Sequence, residues 1–134
     1  GFGSSRIVGV APGAAQYLGD CIELFLDFRS AETLGSASLG DEVYHIMLRA
    51  PGDRPNTRCE NRVPPGTSAR ATANTTGWQA EFTVPIGSRV DGLIGLDLAV
   101  DDDDTGKGRK SQIVWHGSSQ NYQDPSAYGR FRLP

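Results

Sequence analysis

The chain has 134 residues, a net charge of -3 and a pI of about 5.3. That length suits one domain with its own core. The charge balance provides no basic patch to neutralise phosphates, which argues against nucleic acid as a partner. No apolar run approaches the ~20 residues of a membrane-spanning helix, so no membrane partner is expected.

Seventeen glycines and eight prolines point to many turns. Residues 1–19 are Gly/Ala/Ser-rich, with an edge strand expected near Arg6–Val10. Asp20–Phe28 reads as a strong strand. Ile22, Leu24, Leu26 and Phe28 form one apolar face, and Cys21, Glu23, Phe25 and Asp27 the other. With two carboxylates on it, the second face is not read as a second core layer. Arg29–Asp41 reads as a loop or frayed turn. Glu42–Arg49 is the next strand, with Tyr44, Ile46 and Leu48 inward and Val43, His45, Met47 and Arg49 opposite; Pro51 stops it. Asp53–Ala69 is polar and proline-broken and reads as a long loop or an edge excursion. Strands follow at Ala69–Asn74, at Gly77–Val84 with Trp78, Ala80, Phe82 and Val84 on one side, and at Leu93–Val100 with Ile94, Leu96, Leu98 and Val100 pointing one way. Asp101–Lys110 is a tight charged loop, Gln112–His116 a strand, Gly117–Tyr128 a loop and Gly129–Leu133 the last strand. No helical period competes, so the fold class is all-β: an antiparallel two-sheet sandwich of jelly-roll type.

Chemistry-bearing residues are few. Cys21 and Cys59 are too few for a disulfide scaffold or a zinc site; they form one disulfide in a secreted protein or remain two buried thiols. Asn74-Thr75-Thr76 matches a glycosylation sequon, a triplet that also arises by chance. The chain begins at Gly1 without a recognisable signal peptide and is expected to be a processed form or a fragment. Asp101, Asp102, Asp103 and Asp104, followed by Thr105 and Gly106, are candidate ligands for a structural calcium, since a hard cation takes carboxylate and carbonyl oxygens converging from a turn. The plainer alternative is a solvated acidic turn countered by Lys107, Arg109 and Lys110. Glu23 and Asp27 share a strand face, but paired carboxylates without a cleft are not a glycosidase site, and His45 and His116 lack a nucleophile partner. The chain is read as a non-enzyme.

The order of parts resembles family 9 carbohydrate-binding modules and their wider sandwich relatives. Asp20-Cys21-Ile22-Glu23-Leu24-Phe25-Leu26-Asp27 is similar to the family's Asp-x-Val-Glu-x-Phe-x-Asp strand, and Asp41–Ile46 to the strand that follows it. Gly77–Ile86, Ile94–Asp104, Trp115 and Tyr122-Gln123-Asp124-Pro125-Ser126 through Gly129 and Leu133 resemble its C-terminal half. The resemblance runs over residues 17–134. It implies a single non-catalytic β-sandwich over residues 1–134 that binds saccharide or polysaccharide as an accessory of a larger secreted protein. Complete modules usually carry further strands before the Asp-x-Val-Glu strand, and these are not recognisable here.

The resemblance also implies a ligand site. Tyr17 and Tyr122 fall where the family places an aromatic clamp, in which tryptophan is commoner. Glu23 matches a glutamate that accepts hydrogen bonds from sugar hydroxyls. His45 falls at or near a sugar-contacting arginine, Ala99 replaces an amide, and Arg109 stands where a basic contact is expected. Weak saccharide binding is the consequence, because tyrosine stacks less than tryptophan and two polar contacts are changed. Two alternatives accompany this reading. One is a structural accessory sandwich without ligand. The other follows from relatives that bind haem through Met or His, for which Met47, His45 and His116 are the candidates.

Overall fold

In the computed structural model, the residues described are 4–12, 20–30, 32–75, 77–86, 92–102 and 111–132, the side chains of 4–12, 102 and 111 excepted. Among them are nine strands and no α-helix: β1 (Ser4–Pro12), β2 (Cys21–Asp27), β3 (Val43–Arg49), β4 (Cys59–Arg62), β5 (Ser68–Asn74), β6 (Gly77–Pro85), β7 (Leu93–Asp102), β8 (Ser111–Val114) and β9 (Gly129–Arg132). One 3-10 turn spans Pro125–Ala127. Every strand pairing is antiparallel. A narrow sheet has the order β1-β6-β5. A wide sheet runs β4-β3-β2-β7, and both β8 and β9 pair with the far edge of β7. This is an antiparallel β-sandwich.

The core lies between the sheets and follows the alternation of the sequence. Ile22, Leu24, Leu26, Ile46, Leu48 and Ile94 from the wide sheet meet Trp78, Ala80, Phe82 and Val84 of β6 and Ala69 and Ala71 of β5. The small side chains of β5 and Ala80 leave room for Trp78 and Phe82, both essentially inaccessible. Large beside small is how two facing layers reach close packing.

Three features of the fold bear on function. First, the polar segment 53–69, read from the sequence as a long loop or an edge excursion, holds an edge strand: β4 pairs with β3 at the border of the wide sheet. Second, Asp101 and Asp102 do not belong to a loop: they extend β7 and pair with Gln112 and Ser111. Third, both faces of β2 are buried along its whole length. Its outward face is covered because the segment 117–128 folds over it. Phe25, Val43, Ala99 and Tyr128 form a second small cluster there, with Val114 packed against it. The two carboxylates on that face are interior groups, and each has internal donors. The cysteines are free thiols. Cys59 packs against the main core while Cys21 bonds to Asp101 on the opposite face of the sheet, so the sheet itself separates them.

Candidate functional site

A groove of about 220 Å3 opens on the outward face of the wide sheet beside β3 and β4, lined by Leu39, His45, Asn61, Arg62, Tyr122 and Tyr128 among others. Its polar centre is His45. Register places His45 opposite Phe25 on β2 and Arg62 on β4. The imidazole stacks on the Phe25 ring, with centroids 4.4 Å apart and planes at 19°. Phe25 in turn contacts Tyr128 at 5.6 Å.

Both ring nitrogens of His45 are engaged. Nε2 lies 2.6 Å from Glu23 Oε1, and Nδ1 lies 2.8 Å from Asn61 Nδ2. A carboxylate only accepts, so Nε2 carries the proton, and neutral Nδ1 accepts from the Asn61 amide. Asn61 pairs with Ile46, an inward-facing residue, yet its amide reaches the outward side. Its backbone is left-handed, with φ 76°, a conformation that asparagine tolerates better than most residues. Beside it, Arg62 Nη2 donates to Gly40 O at 2.8 Å, which leaves the rest of an exposed guanidinium at the groove's rim.

Behind His45 lies a buried polar cluster. Glu23 is 5% exposed, and its second oxygen accepts from Gln112 Nε2 at 2.8 Å. The same Nε2 also donates to Asp101 Oδ1 at 2.8 Å, and Cys21 Sγ donates to Asp101 Oδ2 at 3.1 Å. Burial and then the neighbouring Glu23 raise the Asp101 carboxyl to about 6. Burial also pushes Glu23 upward, but hydrogen bonds from His45, Asp101 and Gln112 hold it below the ordinary range. Below about pH 6 a proton taken up by the pair therefore sits on Asp101, and Glu23 keeps the charge that orients His45. Burial pushes the Cys21 thiol far up, so it stays protonated.

The wall that carries Tyr122 is organised by a single interior carboxylate. Asp97 is inaccessible to solvent. Its Oδ1 accepts from Leu98 N and His116 N, both at 2.9 Å, and its Oδ2 accepts from Gly117 N and Asn121 Nδ2, both at 2.7 Å. Asn121 Oδ1 accepts from Ser118 N, and Asn121 O accepts from Tyr128 Oη at 2.9 Å. A Cβ on Gly117 would lie 2.0 Å from Asn121 Oδ1, so the approach requires glycine. The next residue, Tyr122, then projects at 55% exposure into the groove.

The structure thus brings His45 and Tyr122 to one groove and places Glu23 directly behind His45. Glu23 is not the open-face hydroxyl acceptor expected from the sequence; both its oxygens are occupied internally, and it reaches the groove through His45. Tyr17, Arg109, Asp103 and Asp104 lie outside the described residues. Of the four aspartates expected as calcium ligands, Asp101 is drawn into the interior by Cys21 and Gln112. Asp102 ends β7 with its side chain outside the described set. The haem alternative is not favoured by this geometry: neither nitrogen of His45 is free, and His116 packs at a tilt against Trp115 and edge-on against Phe131. Asn61, Arg62, Gln112 and Asp97 were not singled out from the sequence. A four-residue edge strand in a polar segment carries no alternation to reveal the first two. Gln112 sits two residues before Val114 and shares its outward parity, which by itself names no partner.

No curated protein matches the chain. Among the solved structures that resemble it are two of a family 9 carbohydrate binding module from Caldicellulosiruptor kristjanssonii. The complex with cellotriose superposes with a TM-score of 0.66 at 18% identity, covering 90% of this chain and 60% of that one. The complex with glucose gives 0.67 at 18% identity, covering 91% and 62%. This chain therefore spans about three-fifths of the length of these relatives, and at that identity the likeness is one of fold. A family model described as carbohydrate family 9 binding domain-like matches residues 8–134, almost the whole chain, and the protein belongs to that family.

Proposed function

We propose that the groove beside His45 is a saccharide site, with Tyr122 as its stacking face and His45, Asn61 and Arg62 as its polar contacts. The observation that carries this reading is the pairing of a half-exposed tyrosine with an imidazole held by Glu23 and Asn61 in one small concavity. Sugar recognition needs such a flat ring against C–H groups and a few fixed hydrogen-bonding groups for the hydroxyls. At about 220 Å3 the groove is smaller than the roughly 300–1,000 Å3 of drug-sized pockets, which suits a single pyranose ring. Membership of the family supports the ligand class, and the cellotriose and glucose held by the two similar structures make glucose units the first candidates. The module acts without catalysis, as an accessory of a larger secreted carbohydrate-active protein. Glu23 and Asp27, the carboxylates a hydrolase would need free, are both spent on internal partners.

Calorimetric titration with cellotriose and glucose tests the reading. Tyr122→Ala is expected to weaken binding about five- to thirty-fold, the equivalent of about 1–2 kcal/mol of stacking and buried ring area. The urea midpoint should barely move, because the ring is 55% exposed. Equal affinities for both proteins would remove Tyr122 from the site. Absence of binding in the unmodified chain would favour the ligand-free accessory sandwich.

We also propose that Asp102, Asp103 and Asp104 contribute to a structural calcium site at the end of β7. The support is a carboxylate run where the strand ends, after Asp101 has turned inward. A cation at a hundredfold excess over its Kd stabilises by about 2.7 kcal/mol, on the order of 10 °C in Tm for a chain of this size. Chelator should lower Tm by that order and added calcium restore it; an unchanged Tm would sink the site.

A further inference from the structure

One row of residues crosses the wide sheet under the groove. Register places Asp97 of β7 opposite Phe25 of β2, Phe25 opposite His45 of β3, and His45 opposite Arg62 of β4. The two middle residues make the floor, imidazole against phenyl ring. The two outer residues each hold a wall. Asp97 anchors the segment that leads to Tyr122. At the other end of the row, Arg62 Nη2 donates to Gly40 O at 2.8 Å. Leu39 precedes Gly40, and on its other side Arg29 Nη1 donates to Ser38 O at 2.9 Å. Both carbonyls that flank Leu39 are therefore held by guanidinium groups.

Leu39 belongs to neither apolar cluster of the described residues. It is 42% exposed and lines the same groove as Tyr122. A single exposed leucine is ordinary on a protein surface. This one sits on a strap pinned on both sides, and that strap is tied to β4 while Tyr122 hangs from β7. The leucine and the tyrosine thus approach His45 from opposite flanks of the sheet.

We propose that Leu39 is the second wall of the saccharide groove and the residue that selects against an axial hydroxyl. The inference rests on the saccharide reading above. Tyr122 supplies an aromatic face for one side of a pyranose. A pyranose whose ring hydroxyls are all equatorial carries C–H groups on both sides, so its second side meets an aliphatic wall without stranding a hydroxyl. A pyranose with one axial hydroxyl keeps a C–H side for Tyr122, and the hydroxyl then points at Leu39. Leucine has no hydrogen-bonding group, so that hydroxyl loses water and gains no partner. Equatorial hydroxyls lie near the plane of the ring, where His45, Asn61 and Arg62 meet them.

Calorimetric titration with D-glucose and D-galactose tests this, since galactose differs by its axial O4. The unmodified chain is expected to prefer glucose about tenfold, within the modest range by which an apolar surface rejects a hydroxyl. Leu39→Ser should weaken glucose binding roughly three- to tenfold through lost apolar contact. It should also bring the two sugars within about threefold of each other, because a side-chain hydroxyl can partner O4. Leu39→Met keeps an apolar wall and should retain both affinity and preference. Tyr122→Ala should weaken both sugars alike. The urea midpoint of Leu39→Ser should stay in place, because the residue lies outside the core. If Tyr122→Ala weakens both sugars and Leu39→Ser changes neither, the second wall is overturned and the groove reading stands. If neither variant changes binding, or the unmodified chain binds neither sugar, the groove reading fails and this inference fails with it. A glucose preference that survives Leu39→Ser would assign the selection to the polar floor and overturn the role of Leu39.

Discussion

Asp97→Ala is expected to destabilise the fold by about 3–5 kcal/mol, the largest effect of any single truncation near the groove. The carboxylate is fully buried and receives four hydrogen bonds, three of them from backbone amides of β7 and the segment after β8. A net hydrogen bond to a charged group contributes about 1.5–3 kcal/mol, and each donor left unsatisfied in the interior costs about 1–3 kcal/mol. Those terms are not additive, because the segment can relax toward water once its anchor is gone. Relaxation has a functional cost: Asn121 loses its main partner, and Tyr122 follows it in the chain. Urea denaturation should therefore show the loss of stability, or the variant should be recovered unfolded. In whatever folded fraction remains, cellotriose affinity should fall at least as far as in Tyr122→Ala. Asp97→Asn keeps the shape but turns an NH2 toward donors, so it should rescue only part. A midpoint within about 1 kcal/mol of the unmodified protein would show that the segment is held by other contacts.

Asp27→Ala should cost a similar amount, about 3–5 kcal/mol, for a different reason. Arg29 Nε and Nη2 grip both oxygens of Asp27 at 2.8 and 2.7 Å, while Arg29 N and Gly35 N donate to the same carboxylate at 3.1 and 3.0 Å. The Asp27 side chain is 1% exposed and that of Arg29 11%. Removing the acid leaves an enclosed guanidinium without the carboxylate that grips it, and the carbonyls of Ser36 and Ser38 supply no counter-charge. The double variant Asp27→Leu with Arg29→Met should recover much of the loss, since it removes the stranded charge. This pair also sets an acid limit. Burial pushes the Asp27 carboxyl upward, but the hydrogen bonds from Arg29 and Gly35 and the charge of Arg29 hold it below the ordinary value. A depressed folded-state pKa contributes stability that is fully present above the unfolded value, near 4, and is lost as pH falls through the folded one. Stability of the unmodified protein should therefore decline below about pH 4, and Asp27→Ala should flatten that decline. An identical acid profile in the variant would assign the limit to other carboxylates.

The strands that build the core were legible from alternation. Ile22–Phe28, Tyr44–Leu48, Trp78–Val84 and Ile94–Val100 each carry a period of two, and each turns the face that the pattern names toward the core, where Tyr44, Leu96, Leu98 and Val100 are only partly buried. A sandwich imposes that period through solvent, so hydrophobicity alone reports it. The order of motifs likewise pointed to the family. His45 and Tyr122 were identifiable as candidates because their neighbours form recognisable motifs.

What the sequence determined by itself is the inward half of this protein: which residues face the core, hence the two-sheet class and its antiparallel order of elements. The tertiary structure alone decided the outward half. A carboxylate on a strand's outer face looks solvated in sequence, yet Glu23, Asp97 and Asp101 are buried because the segment 117–128, β8 and their donors close over them. That closure depends on contacts between residues up to 89 positions apart, such as Gln112 with Glu23. The Asn61 amide reaches His45 only through a left-handed backbone at the edge of the sheet. Polar burial is specified by paired donors and acceptors rather than by periodicity, and those pairs exist only once the chain has folded.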